Sequence, residues 1–190
     1  MRILTAVSKL FYGVFNIWTA LAVTVVYGWF ISTVMPQQSL DSAAYASTWG
    51  APDRHFFYTP DELYTEIPNW DDAGRHDYIS FRLGLDIIWA LAYTGFLVGW
   101  ISLLLQRVWP SDHPGRLLNI FPLIALLADY CENGLGIWLV ADADIRMDAV
   151  AWLAALMSAT KWSALILAHV ILIFAVATVM LRKIAKKPNI

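Results

Sequence analysis

The sequence predicts an all-α protein: an antiparallel four-helix transmembrane bundle with a long outer loop that contains a short helix. Three observations carry this. Four apolar stretches, about residues 10–35, 81–106, 117–140 and 149–181, each reach the roughly 20 residues that a spanning helix needs. Charged residues make up only 15% of the 190, against about 25% in soluble domains, while 59% are hydrophobic. The basic and acidic residues also flank opposite ends of the stretches. Residues 1–190 then form a single transmembrane domain with no room for a separate soluble one.

The first stretch follows a basic start, Arg2 and Lys9, and runs uncharged from Leu10 to Met35. That is too long for the apolar core of a secretory signal. It is expected to stay attached as a first span and to end at Pro36. In the 36–80 loop, Thr59-Pro60-Asp61-Glu62 is a capping box with Pro at the first helical position, followed by Leu63, Tyr64 and Ile67. Pro68 should stop this short helix, and polar residues 69–77 should lead as helix into the second span. A connection this long is expected to pack over something, here the outer mouth of the bundle. Pro110, Pro114 and Gly115 make a tight turn between the second and third spans. The fourth is longer than a bilayer requires, so it should tilt or begin in the interface.

Orientation follows from charge. Arg2, Lys9, Arg107, Arg116, Arg182, Lys183, Lys186 and Lys187 share one side, with Asp112 the only carboxylate among them. The 36–80 loop holds Asp41, Asp53, Asp61, Glu62, Glu66, Asp71, Asp72 and Asp77 against Arg54 and Arg75, and 141–148 holds Asp142, Asp144 and Asp148 against Arg146. Positive-inside bias predicts cytoplasmic termini and outward loops 36–80 and 141–148. The 182–187 basic cluster reads as an anchor to anionic headgroups. Many of the ten Trp residues suit interfacial belts, while Trp100, Trp138 and Trp162 need individual placement.

Asp86, Asp129, Glu132 and Lys161 interrupt the spans themselves. Each charge facing lipid would cost about 2.5–3.5 kcal/mol, so they are expected to face one another, and such residues are functional candidates by default. Helix rise brings them to a similar depth. Asp86 counts about 21 residues above Arg107 and Lys161 about 20 above Leu181, roughly 30 Å in each case. Glu132 and Asn133 come out near 25 Å and Tyr27 near 27 Å, with Asp129 about one turn below Glu132. Ala125, Asp129, Glu132, Asn133 and Gly136 form one stripe; Ala154, Ser158, Lys161, Ala164 and Ala168 form another. Arg82, Asp86, Ala90 and Tyr93 share a face, so Arg82 can pair with Asp86. Asn16, Ala20, Thr24 and Tyr27 do likewise on the first span.

The candidate site is therefore Arg82, Asp86, Asp129, Glu132, Asn133 and Lys161, with Tyr27 as a neutral partner. Three acids against two bases predict either that one carboxylate holds a proton or that the site accepts a cation. Asp129 is first choice, being deepest and farthest from Lys161. The alternative is architectural, a network that fixes helix order and register. His169 could reach Asp129 or be a satisfied core histidine, the favoured reading.

Other chemistries find little support. Haem ligation wants paired intramembrane histidines, and a di-iron bundle wants Glu-x-x-His pairs, so no cofactor is expected. His55 and His76 have nondescript spacing for a metal. Ser158-Ala-Thr-Lys161 matches a Ser–Lys nucleophile pattern without companion motifs. Cys131, the only cysteine, is expected as a small core residue. Phosphate loops and nucleic-acid patches are missing.

Four strings taken together resemble a group of small uncharacterised bacterial membrane proteins with four predicted helices. They are Tyr58-Thr-Pro-Asp-Glu-Leu-Tyr64, Leu85-Asp86-Ile-Ile-Trp89 with Tyr93, Ala128-Asp129-Tyr-Cys-Glu132-Asn133, and Thr160-Lys161-Trp162. The resemblance covers about residues 58–182. It implies a bacterial cytoplasmic (inner) membrane, with the acidic loops in the periplasm, and names no activity. The leading expectation is a site that binds a proton, a cation or a polar headgroup group. The rivals are an accessory or structural subunit docking on a larger membrane complex or forming a homo-oligomer, and a membrane-embedded hydrolase or transferase.

Overall fold

The computed structural model describes residues 2–185; the Lys186 and Lys187 part of the expected lipid anchor lies outside them. The described residues form helices and turns, with no strand. Among them, four helical stretches are long and apolar enough to cross a membrane: Ile17–Ser42, Asp72–Val108, Pro114–Ala141 and Asp148–Ala185.

The first stretch departs from expectation at both ends. The run from residue 10 is not one helix but two, α1 (Arg2–Val14) and α2 (Ile17–Trp29). Asn16 divides them. Its Oδ1 accepts from the Trp18 and Thr19 N–H groups, while Thr19 Oγ1 accepts from the Asn16 N–H. A short amide side chain satisfies free helix-end donors, so it starts a new helix where hydropathy alone reads continuity. Nor does Pro36 end the span. A π turn at Phe30–Val34 intervenes, with the Met35 N–H bonded five residues back to Phe30 O, and α3 (Met35–Ser42) begins with Pro36 in its first turn. The π turn lies just where the proline ring would otherwise crowd the preceding turn and leave a carbonyl without its donor.

The capping box forms as expected. Thr59 Oγ1 accepts from the Glu62 N–H and Glu62 Oε2 accepts from the Thr59 N–H at 2.7 Å, opening α4 (Pro60–Glu66). Asp71 then caps α5 (Asp72–Leu83), and Gly84 separates it from α6 (Leu85–Val108). Gly84 takes φ −114° and ψ −100°, outside the helical region, so the second span bends at this residue. A 3-10 turn at Pro114–Ile120 leads into α7 (Pro122–Ala141), and α8 (Asp148–Ala185) completes the described chain.

The longest packing seam joins α7 to α8. Ala125, Ala128 and Gly136 on one side and Ala151, Ala154, Ala155, Ala164 and Ala168 on the other are buried, so small residues let the backbones approach closely. Helix α6 packs on α2, α7 and α8. At Gly136 the close approach is specific: a Cβ there would lie 2.5 Å from the Tyr78 hydroxyl oxygen. Cys131 is exposed rather than core. At 100° per residue it falls off the 129/132/133/136 stripe that faces inward.

Residues 43–70 fold over one end of these helices. Tyr58, Leu63, Ile67 and Trp70 share a core with Tyr78, Leu139, Val140, Ala151, Ala154 and Ala155. Tyr64 accepts from the Met147 N–H at 2.7 Å, Arg146 pairs with Asp61, and Arg75 reaches Asp144 at 3.3 Å. Near the other end, Ser8 donates to Asn119 Oδ1 (2.7 Å), and Asn119 Nδ2 donates to Ser8 O (3.2 Å) and Ser102 Oγ (3.0 Å). That buried neutral network ties α1, α6 and the 3-10 turn together.

Candidate functional site

Six of the seven sequence-predicted residues converge. Arg82, Asp86, Asp129, Glu132, Asn133 and Lys161 are each only 3–5% exposed. Arg82 sits in the last turn of α5, and across the Gly84 bend its Nη1 meets Asp86 Oδ2 at 2.8 Å, the expected pair. Asn133 Nδ2 donates to the same Asp86 oxygen at 2.6 Å. The Tyr78 ring supports the guanidinium, 4.8 Å from its centroid. From α8, Lys161 Nζ meets Glu132 Oε2 at 2.6 Å and Asp129 Oδ1 at 3.6 Å.

The remoteness of Asp129 from Lys161, used to single it out as a proton carrier, does not hold. One helical turn separates Asp129 from Glu132 along α7, and the long Lys161 side chain spans that gap to reach both. Asp129 also accepts a hydrogen bond from the Tyr93 hydroxyl at 2.9 Å. Tyr27, the seventh residue, does not join the charges. Its ring stacks on Trp89 and Phe96, with centroids 5.5 and 4.5 Å away. Its side chain serves packing and lines the adjoining cavity.

Sequence reasoning missed Asp53. One of eight acids in its segment, it carried no signal of its own. It follows Pro52 in a single 3-10 turn, Pro52–Arg54, that is pressed down onto the cluster. The Asp53 carboxylate pairs with Arg82, while its backbone carbonyl accepts from Lys161 Nζ (3.2 Å) and Trp162 Nε1 (3.3 Å). Burial alone would raise the Asp53 carboxyl, but the Arg82 guanidinium and the Lys161 ammonium outweigh it and hold it below the ordinary aspartate value. The segment is thus a polar lid whose floor is the buried cluster. Trp162 belongs to that lid contact, Trp100 donates to Thr24 at 2.8 Å, and Trp138 is exposed beside Asp142.

Two discounted motifs are placed as well. Ser158 Oγ donates to the His55 carbonyl at 2.6 Å, so the hydroxyl of the Ser-x-x-Lys pattern is committed to holding the lid. His169 bonds its own helix at Leu165 O, 2.7 Å, and not Asp129. Among the described residues, no three His, Cys, Asp or Glu side chains converge as metal ligands would. Lys161 and Arg82 stand between the acids.

Beside the cluster lies a cavity of about 740 Å³. Asp53, Arg54, Arg82, Asp86, Asp129 and Lys161 are the charged groups on its wall, with Gln38, Ser39, Tyr93 and His169 beside them, and Tyr27, Ile31, Trp89 and Ile173 contribute to the apolar remainder. Its volume is in the range of small-molecule sites, which combine apolar walls with a few placed polar groups. Glu132 Oε1 and Asn133 Oδ1 are buried without a hydrogen-bond partner.

No protein-family model, curated protein or solved structure matches the chain.

Proposed function

We propose that this is an integral membrane protein, an antiparallel four-helix transmembrane bundle whose buried acidic cluster binds positive charge: a proton, a cation or a polar headgroup group. The single observation that carries the reading is an excess of acid. Among the described residues, Asp53, Asp86, Asp129 and Glu132 form ion pairs only with Arg82 and Lys161, and the exposed Arg54 adds its charge near Asp53. Fully ionised, the cluster would hold an excess of negative charge in a low-dielectric site even with Arg54 counted, which is costly enough that a proton or a bound cation must make up the difference. The unpaired Glu132 Oε1 supports the same reading.

The sidedness we propose has both termini in the cytoplasm and segments 36–80, with its short helix α4, and 141–148 outside, in the periplasm of a bacterium. Its support is the segregation of basic from acidic residues. The cluster then lies in the outer half of the inner membrane, beneath the lid.

Infrared spectroscopy of the detergent-purified protein tests the charge reading. A protonated-carboxyl band should be present at neutral pH, weaken when ethylammonium is added, and shrink in Glu132→Gln or Asp129→Asn. A cluster with no such band and no response to ethylammonium would sink the reading.

A further inference from the structure

The cavity and the cluster together specify a kind of ligand. The apolar wall is not closed. Ile31 on α2's continuation and Ile166, Val170 and Ile173 on α8 both line the cavity and lie on the surface, 48–66% exposed. Helix α2 packs on α6, and α8 packs on α6 and α7, but α2 and α8 have no extensive seam between them. The gap between them is the mouth, and it opens through apolar residues of two candidate membrane spans, where acyl chains would lie.

The cavity is also polarised along its length. Lys161, Asp53 and Arg82 line one end, and Ile173 lies 12 residues along α8 from Lys161, about 18 Å at helical rise. A ligand that fills it has a polar head near the lid and an apolar body running parallel to the helices. Its orientation is that of a lipid in the leaflet on the lid side. The head is constrained by what remains unsatisfied. Arg82 already has Asp53 and Asp86, and Lys161 has Glu132 and the Asp53 carbonyl, so the two buried cations are committed; Arg54, the third cation on the lining, is exposed and donates to Ser39 Oγ at 3.0 Å. The surplus consists of acceptors. Asp129 faces the cavity with Oδ1 no nearer than 3.6 Å to Lys161, and Glu132 Oε1 behind it has no hydrogen-bond partner.

We infer that the cavity binds a membrane-resident amphiphile with an ammonium head, which enters sideways between α2 and α8 and delivers its positive charge to Asp129 and the surrounding acids. This rests on the charge reading above and adds the ligand class and the route.

Three probes of one chain length, a brominated octadecylamine and the matching fatty acid and alcohol, separate head from chain. Trp89 and Trp162 line the cavity, so bromine in the site quenches their fluorescence. In the full-length detergent-purified protein, the amine should quench saturably, at a concentration at least about tenfold below that of the acid, because a carboxylate head would meet like charge. Trp89→Phe with Trp162→Phe should remove most of the quenching. Val170→Phe or Ile31→Phe, each at an exposed rim position that tolerates bulk, should block amine binding while leaving the ethylammonium infrared response intact. Equal quenching by amine and acid, or undiminished binding in both rim variants, would overturn the inference. If ethylammonium still alters the carboxyl band but the amine never quenches, only this inference fails; if neither has an effect, the charge reading falls with it.

Discussion

Two buried polar networks occupy opposite ends of the same helices, and they are built differently. Near the 3-10 turn, Ser8, Asn119 and Ser102 are neutral, and each of their side-chain polar atoms is engaged in a hydrogen bond. None of the three lines the cavity. Under the lid, four carboxylates share two buried cations, two buried oxygens on Glu132 and Asn133 lack hydrogen bonds, and a cavity adjoins the cluster. A network that only fixes helix register is best neutral and fully satisfied, because each unmatched polar atom in an apolar interior costs free energy. The first network fits that description. The second carries unmatched acceptors within a cluster whose other members border a cavity, and a purely architectural role leaves that combination unexplained.

The largest test of this contrast is Lys161→Met. Removing the cation leaves Glu132 and Asp129 buried without it, and breaking a buried pair from one side typically costs about 3–5 kcal/mol. The unfolding midpoint in mixed micelles should fall accordingly, and the double variant Lys161→Met with Glu132→Met should recover part of the loss. If the single variant unfolds like the parent, the cluster does not hold its charges as described.

Gly136→Ala should come next. Its Cβ would sit 2.5 Å from the Tyr78 hydroxyl oxygen, and Tyr78 in turn supports Arg82. Overpacking of this kind costs about 1–3 kcal/mol. The same micelle unfolding measures it, and the ethylammonium response should weaken with it because Arg82 is displaced. Asn119→Ala, at the other network, should cost less, about 1 kcal/mol, since interhelical hydrogen bonds in membrane proteins average below that and the freed Ser hydroxyls can turn to carbonyls of their own helices. It should leave the ethylammonium response unchanged. A loss of that response in Asn119→Ala would erase the distinction between the two networks.

The legibility of the two regions differs for physical reasons. Spans, the capping box at Thr59 and the convergence of Asp86, Glu132 and Lys161 were readable because bilayer thickness, helix rise and the cost of lone charges are general constraints. The α1–α2 break was not, because a single Asn in an apolar run weighs little in hydropathy yet suffices to cap a helix. Asp53 was invisible for another reason. Its role depends on where the 43–59 segment folds back, a tertiary fact that acid counting over eight similar residues cannot supply. Asn119 and Ser8 were missed because neutral side chains at span ends give no signal that separates a buried network from solvated turns.

The smallest effect concerns the lid itself and depends on pH. The Asp53 carboxyl is held below its ordinary value by Arg82 and Lys161. A group whose folded value is depressed contributes stability in full above its unfolded value, about 3.9 for aspartate, and that contribution fades as pH falls through the folded one. Protection of amides in residues 46–58 against hydrogen exchange, corrected for intrinsic rates, should therefore stay level from pH 8 to pH 5 and drop only below the ordinary aspartate range. Global unfolding need not move with it, because the lid can open locally while α6, α7 and α8 remain packed. Asp53→Asn should open the lid at every pH and flatten the dependence, while Ser158→Ala, which loses only the bond to the His55 carbonyl, should lower protection without changing its pH profile. A lid that opens already near pH 6 in the parent protein would mean that some other group fastens it, and Asp53 would lose its place as the link between the acidic segment and the buried charges.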